Sequence, residues 1–147
     1  MLRKASIILA LFFGATNLVH ANQRLVCESA NHTVALKVCS DLIAENPRDA
    51  RAYIGRAFAY AGLRQWDRAI SDATIAVELN PKDPSAYHVR GRVYWQKGDY
   101  DNAIADLTLA IEYTPSRADA RSLTHRGVAY LSKGDQERAL SVCPMRC

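Results

Sequence analysis

A period of 34 residues governs this chain. Ala50 to Asp83 and Pro84 to Arg117 superpose without a gap, setting Tyr53 on Tyr87, Tyr60 on Tyr94, Trp66 on Tyr100, Ala69 on Ala103, Ala76 on Ala110 and Pro81 on Pro115. A third copy starts two residues late, from Ala120, and places Gly127, Tyr130, Gly134 and Ala139 where the second has Gly91, Tyr94, Gly98 and Ala103. Reading backward, Pro47 stands one period before Pro81 and Ala35 one period before Ala69, so the tail of an earlier copy precedes the first full one. Self-similarity at such a period means a unit that cannot bury its apolar face alone and stacks on its neighbours, so the core is the stack itself.

Within a copy the apolar and small residues return at helical spacing, first as Tyr53, Ala57, Tyr60 and Ala61, then as Ala69, Ala73, Ala76 and Val77. Two antiparallel helices per copy follow, and with them an all-α class. The breaks are expected at Gly62-Leu63-Arg64-Gln65 and at Lys97-Gly98-Asp99. Each second helix should stop before Asn80-Pro81 or Thr114-Pro115, because the residue before a proline disfavours helical geometry. Small residues at Ala57/Gly91/Gly127 and Ala69/Ala103/Ala139 allow paired helices to approach closely.

This pattern of aromatic, glycine, tyrosine, alanine and proline positions, held from about Thr33 to Leu140, resembles the tetratricopeptide-repeat family. The resemblance implies a right-handed α-solenoid of helix pairs whose first helices line a concave groove. It divides the chain into a capping segment with a partial repeat (22–49), full repeats at 50–83 and 84–117, and a partial repeat at 118–147. Carried over position by position, the groove residues are Arg51, Ile54, Phe58 and Ala61, then Ser85, His88, Arg92, Trp95 and Gln96, then Arg121, Thr124, Val128 and Leu131. Phe58 and Trp95 are large apolar groups there; Trp95 either meets a ligand or packs on the neighbouring repeat. Family members that hold chaperone C-termini use a lysine and an asparagine in the first repeat, where this chain has Ile54 and Phe58, so that ligand class is not expected.

Arg56 and Asp72 stand 16 residues apart, as do Arg90 and Asp106 at the matching positions of the next copy. Each pair is centred on the turn between its two helices, so arginine and aspartate should face each other across the hairpin and can form a bidentate bond; the alternative is surface charge shared by descent. In the third copy Arg126 keeps the arginine, but Val142 takes the aspartate's place. Four cysteines allow three pairings. On one straight helix Cys27 and Cys39 would lie about 18 Å apart, too far for a bond, so a Cys27–Cys39 disulfide needs the chain to reverse near Ser29 to Thr33, ahead of a helix from about Val34. Such a bond would staple the N-terminal segment over the end of the stack; free buried cysteines are the other reading. Cys143 falls on the core position of Leu107, Pro144 then ends the helix, and Cys143 to Cys147 lacks the spacing of a thiol redox motif.

The 147 residues carry 19 Lys and Arg against 15 Asp and Glu, a net charge of +4. Met1 to Ala21 is built like a secretory signal, with Arg3 and Lys4, an apolar run from Ile7 through Phe13 and Val19-His20-Ala21 at its end. Cleavage there would lower the balance to +2, which favours neither nucleic acid nor stable membrane insertion and suits a secreted or periplasmic chain with persistent disulfides. Asn31-His32-Thr33 is a glycosylation sequon that matters only in a eukaryotic secretory pathway. Histidines lack metal-ligand spacing, no phosphate loop or nucleophile elbow is present, and Asp99 with Asp101 suits a helix N-terminus better than acid–base chemistry. The expected protein is non-enzymatic, without cofactor or metal, binding a protein or peptide segment in its groove. The alternative is self-assembly, as a homodimer or larger stack, through an apolar edge at Leu140, Val142 and Cys143.

Overall fold

The computed structural model describes Cys27, residues 31–114 and residues 120–142. The signal expected at Met1 to Ala21, the two extra residues before the third copy, and Cys143 with Cys147 lie outside the described residues. Seven helices and no strand make up what is described: α1 His32–Glu45, α2 Ala50–Gly62, α3 Trp66–Leu79, α4 Pro84–Lys97, α5 Tyr100–Glu112, α6 Ala120–Lys133 and α7 Gln136–Val142.

Local chemistry sets the ends of these helices. Asp49, Asp83 and Asp99 cap α2, α4 and α5 by accepting backbone N–H bonds, and Pro84 fills the first position of α4, where its missing N–H costs nothing. Helix α1 begins at His32, two residues ahead of the expected Val34, because Asn31 is its cap and accepts from the Val34 N–H at 3.2 Å. The turns between paired helices need a left-handed residue, supplied by Gly98 (φ 89°) and Gly134 (φ 88°). In the first copy Arg64 (φ 58°) takes that conformation, whereas Gly62 ends α2 as a helical residue and lies under the His32 ring, which a Cβ there would strike.

Each helix packs on the next in sequence, and α4 also touches both α2 and α6. Among the described residues, α3 makes no such contact with α5, nor α5 with α7. An inner row in contact and an outer row splayed apart curve the α-solenoid, with α2, α4 and α6 on the concave side. The interior is built largely of alanine: Ala57, Ala61, Ala69 and Ala73 form one cluster with Val89 and Val93, filled in by Tyr60, Trp66 and Ile70. At Gly91 the paired helices approach closely, since a Cβ would sit 2.9 Å from Leu107 Cγ and 3.1 Å from the Ala103 carbonyl oxygen.

The two repeated ion pairs meet. Arg56 Nε and Nη2 donate to Asp72 at 2.7 and 2.9 Å, and Arg90 donates likewise to Asp106 at 2.7 and 2.8 Å. These bonds to the aspartates raise both guanidinium pKa values above their ordinary position, against a desolvation that would lower them. The third nitrogen of each fork does something the spacing of the pair does not announce: it reaches back to the previous copy. Arg56 Nη1 donates to Ser40 Oγ at 3.4 Å, Arg90 to Thr74 Oγ1 at 3.3 Å and Arg126 to Thr108 Oγ1 at 3.1 Å. Each arginine therefore ties its own copy to the preceding one, and Tyr53 and Tyr87 lie 5.5 and 5.6 Å from the Arg56 and Arg90 guanidinium carbons.

At the N-terminal end Cys27 and Cys39 form a disulfide with their Cα atoms 5.3 Å apart. Both cysteines are buried, and their sulfurs press on the backbone of α2 at Gly55, where a Cβ would collide with Cys27 Sγ. No helix among the described residues is long and apolar enough to cross a membrane.

Candidate functional site

The concave face carries a cavity of about 550 Å³ between the first helices of successive copies. Arg51, Ile54 and Phe58 enter from α2, one helical turn apart, and Ser85 and Val89 from α4, with Arg121 closing the far side. Gly55 and Asp83 also line it, and with Val89 they are three lining positions that the repeat pattern does not mark out. Ile54 and Phe58 are half-buried rather than fully outward, because Ile54 also packs on the alanine core.

Beside the cavity the Arg92 guanidinium carbon stands 4.3 Å from the centre of the Phe58 ring, a close cation–π stack across α2 and α4. Its Nε is buried and has no hydrogen-bond partner. Burial alone pushes the Arg92 pKa down, the reverse of Arg56 and Arg90. No carboxylate among the described residues pairs with it.

Further along the groove the remaining expected residues form a second cluster. His88 Nδ1 lies 2.7 Å from the hydroxyl of fully buried Ser122, and its ring meets His125 edge-on at 5.1 Å. The His125 Nδ1 is 2.8 Å from the Arg121 carbonyl oxygen. Trp95 is half-buried, 6.4 Å from the His125 ring, and donates through Nε1 to Ser132 Oγ at 3.1 Å. Its indole therefore packs on the neighbouring repeat, bridging α4 to α6, and stays partly accessible. Thr124 is spent on its own helix, donating to the Ala120 carbonyl oxygen at 2.6 Å. Val128 is half-buried, and Leu131, 55% exposed, is the most open apolar group of the expected set. Among the described residues no group of three or more His, Cys, Asp or Glu is placed to hold a metal ion.

Two family models, each described as tetratricopeptide repeat, match residues 28–84 and 64–128. Among solved structures, TTC0263, a thermophilic TPR protein of Thermus thermophilus, is 27% identical with a TM-score of 0.68, over 76% of this chain and 61% of that one. The crystal structure of MamA is 25% identical at the same TM-score of 0.68, over 76% of this chain and 64% of that one. The first TPR domain of human RPAP3, at 20% identity and a TM-score of 0.68, covers 79% of this chain and 96% of that domain, and speaks for the fold alone. This chain thus spans less than two thirds of the MamA and TTC0263 chains. No curated protein sequence matches it.

Proposed function

The chain belongs to the tetratricopeptide-repeat family, and from that premise we propose that it is a non-enzymatic interaction module gripping a segment of a partner protein on its concave face. The observation that carries this reading is the cavity of about 550 Å³ between α2, α4 and α6, floored by Ile54, Phe58 and Val89 and edged by Arg51 and Arg121. An apolar floor with a charged rim is the anatomy of a protein-binding patch, and Arg and aromatic groups dominate binding energy in such patches. The partner would lie extended or helical across the first helices. The Cys27–Cys39 disulfide supports a secreted or periplasmic setting, where such bonds persist. Crosslinking pull-down from the native compartment with the wild type, Phe58→Ala and Trp95→Ala tests this reading: the partner should be recovered with the wild type and lost with both variants. Equal recovery with all three would place the contact surface elsewhere.

Self-assembly is the competing reading because of Leu140, 75% exposed on α7 at the end of the stack. Light scattering across a concentration series decides it, since a monomer throughout rules out assembly through that edge.

A further inference from the structure

The fold answers Arg56 and Arg90 with an aspartate each, and Arg126 with a hydroxyl, but leaves the neighbouring Arg92 with neither. Arg56 and Arg90 each receive both oxygens of an aspartate, whereas Arg126 keeps a buried Nε without a partner and bonds the Thr108 hydroxyl through Nη1. Arg92, on the same helix as Arg90, is drawn into the structure with its Nε shut away from any acceptor and with its guanidinium stacked on Phe58. A cation held half out of water without a counter-ion is costly to the folded chain, and an aromatic face offsets only part of that. Arg51 lines the adjoining cavity as well, while Asp83, the lining acid among the described residues, is committed to capping α4 through Ser85 N at 2.9 Å.

Building on the groove reading above, we propose that the groove is selective for an acidic segment of its partner, with an aspartate or glutamate side chain of that segment pairing with the Arg92 guanidinium while an adjacent apolar residue enters the cavity beside Phe58. The guanidinium is pre-oriented by its stack on Phe58, so that little side-chain freedom is lost when a carboxylate docks against its fork. Binding supplies the counter-ion that none of the described residues provides. The apolar floor formed by Ile54, Phe58 and Val89 explains why charge alone is not enough. Arg92 is thus a specificity-determining residue and the acidic side chain is its complement.

The test uses the full chain and a labelled, C-terminally amidated peptide of alternating glutamate and leucine, its glutamine isostere and its lysine counterpart, read by fluorescence anisotropy. The glutamate peptide should bind the wild type at least about tenfold more tightly than the glutamine one, and the lysine one should not bind. Arg92→Gln should erase that preference, and Arg92→Lys should restore only part of it, because an ammonium cannot make the planar paired contact. Thermal melts show whether each variant is folded; Arg92→Gln is expected to melt no lower than the wild type, having shed an unpaired buried cation. Glutamate and glutamine peptides binding equally, with both lost in Phe58→Ala, would overturn the acid selectivity and leave the groove reading standing. Peptide binding indifferent to Phe58→Ala and Arg92→Gln alike would overturn both. Loss of self-association in Arg92→Gln, without any peptide binding to the wild type, would put a second copy in the groove and also overturn the proposal.

Discussion

At Arg64 the chain adopts a backbone conformation that its later copies reserve for glycine. The φ of 58° matches the left-handed turns at Gly98 and Gly134, but an arginine Cβ there crowds the following carbonyl. Arg64→Gly should therefore stabilise the protein by about 0.5–1 kcal/mol, the steric relief exceeding the extra freedom glycine gives the unfolded chain. A thermal melt checks it, with Arg64→Ala as the control that keeps the Cβ and should gain nothing comparable. Charge at single residues acts the other way. Asp106 is only 7% exposed at its side chain and accepts both bonds from Arg90, so Asp106→Ala strands a largely buried guanidinium and should cost about 3 kcal/mol in denaturant unfolding. Replacing both partners, Arg90→Met with Asp106→Leu, should cost much less than Asp106→Ala alone, because no charge is then left unpaired.

Between elements, the contact of α4 with α5 holds a reciprocal exchange of volume that the first repeat solves differently. The positions occupied by Gly91 and Leu107 in the second copy are Ala57 and Ala73 in the first, so one pair is small against large and the other medium against medium. A Cβ on Gly91 would lie 2.9 Å from Leu107 Cγ, and Gly91→Ala alone should cost about 2 kcal/mol by forcing the helices apart. Leu107→Ala alone empties a fully buried site and should cost about 3 kcal/mol. Together they restore the arrangement of the first copy, so the double variant should be more stable than additivity predicts by at least about 1 kcal/mol. A double-mutant cycle measures that coupling directly, and simple additivity would show that the two positions do not share the space described. Helical spacing, caps and prolines made the elements readable in advance, because those signals act within a few residues. What was harder to see at this scale crosses between copies: Ser40, Thr74 and Thr108 recur at the 34-residue period, but a recurring hydroxyl does not by itself say that it accepts from an arginine of the following copy.

For the molecule as a whole, the groove was legible as a row of positions but not as a set of environments. Periodicity names Arg92 and Thr124 on equal terms, yet one is packed against Phe58 and the other turned onto its own backbone, a difference decided by neighbours far away in sequence. The same nearest-neighbour logic governs how the stack comes apart. Each copy is stabilised by the ones beside it, so an end held by one neighbour depends most on any added constraint. Here that end is α1, and the constraint is the Cys27–Cys39 disulfide, which closes a short loop with sequence separation 12 and seats its sulfurs on Gly55 of α2. Closing a loop of that size is worth about 3 kcal/mol through the entropy of the unfolded chain. Reduction, or Cys27→Ser with Cys39→Ser, should therefore lower stability by about 2–3 kcal/mol. Hydrogen exchange should show the loss concentrated in α1 and the start of α2, while α4 and α5, flanked on both sides, keep their protection until global unfolding. A uniform loss along the chain would mean that the copies unfold as one unit, and no loss in α1 would mean that Ser40, bound to Arg56, and the apolar contacts of Leu42 hold the end without the bond.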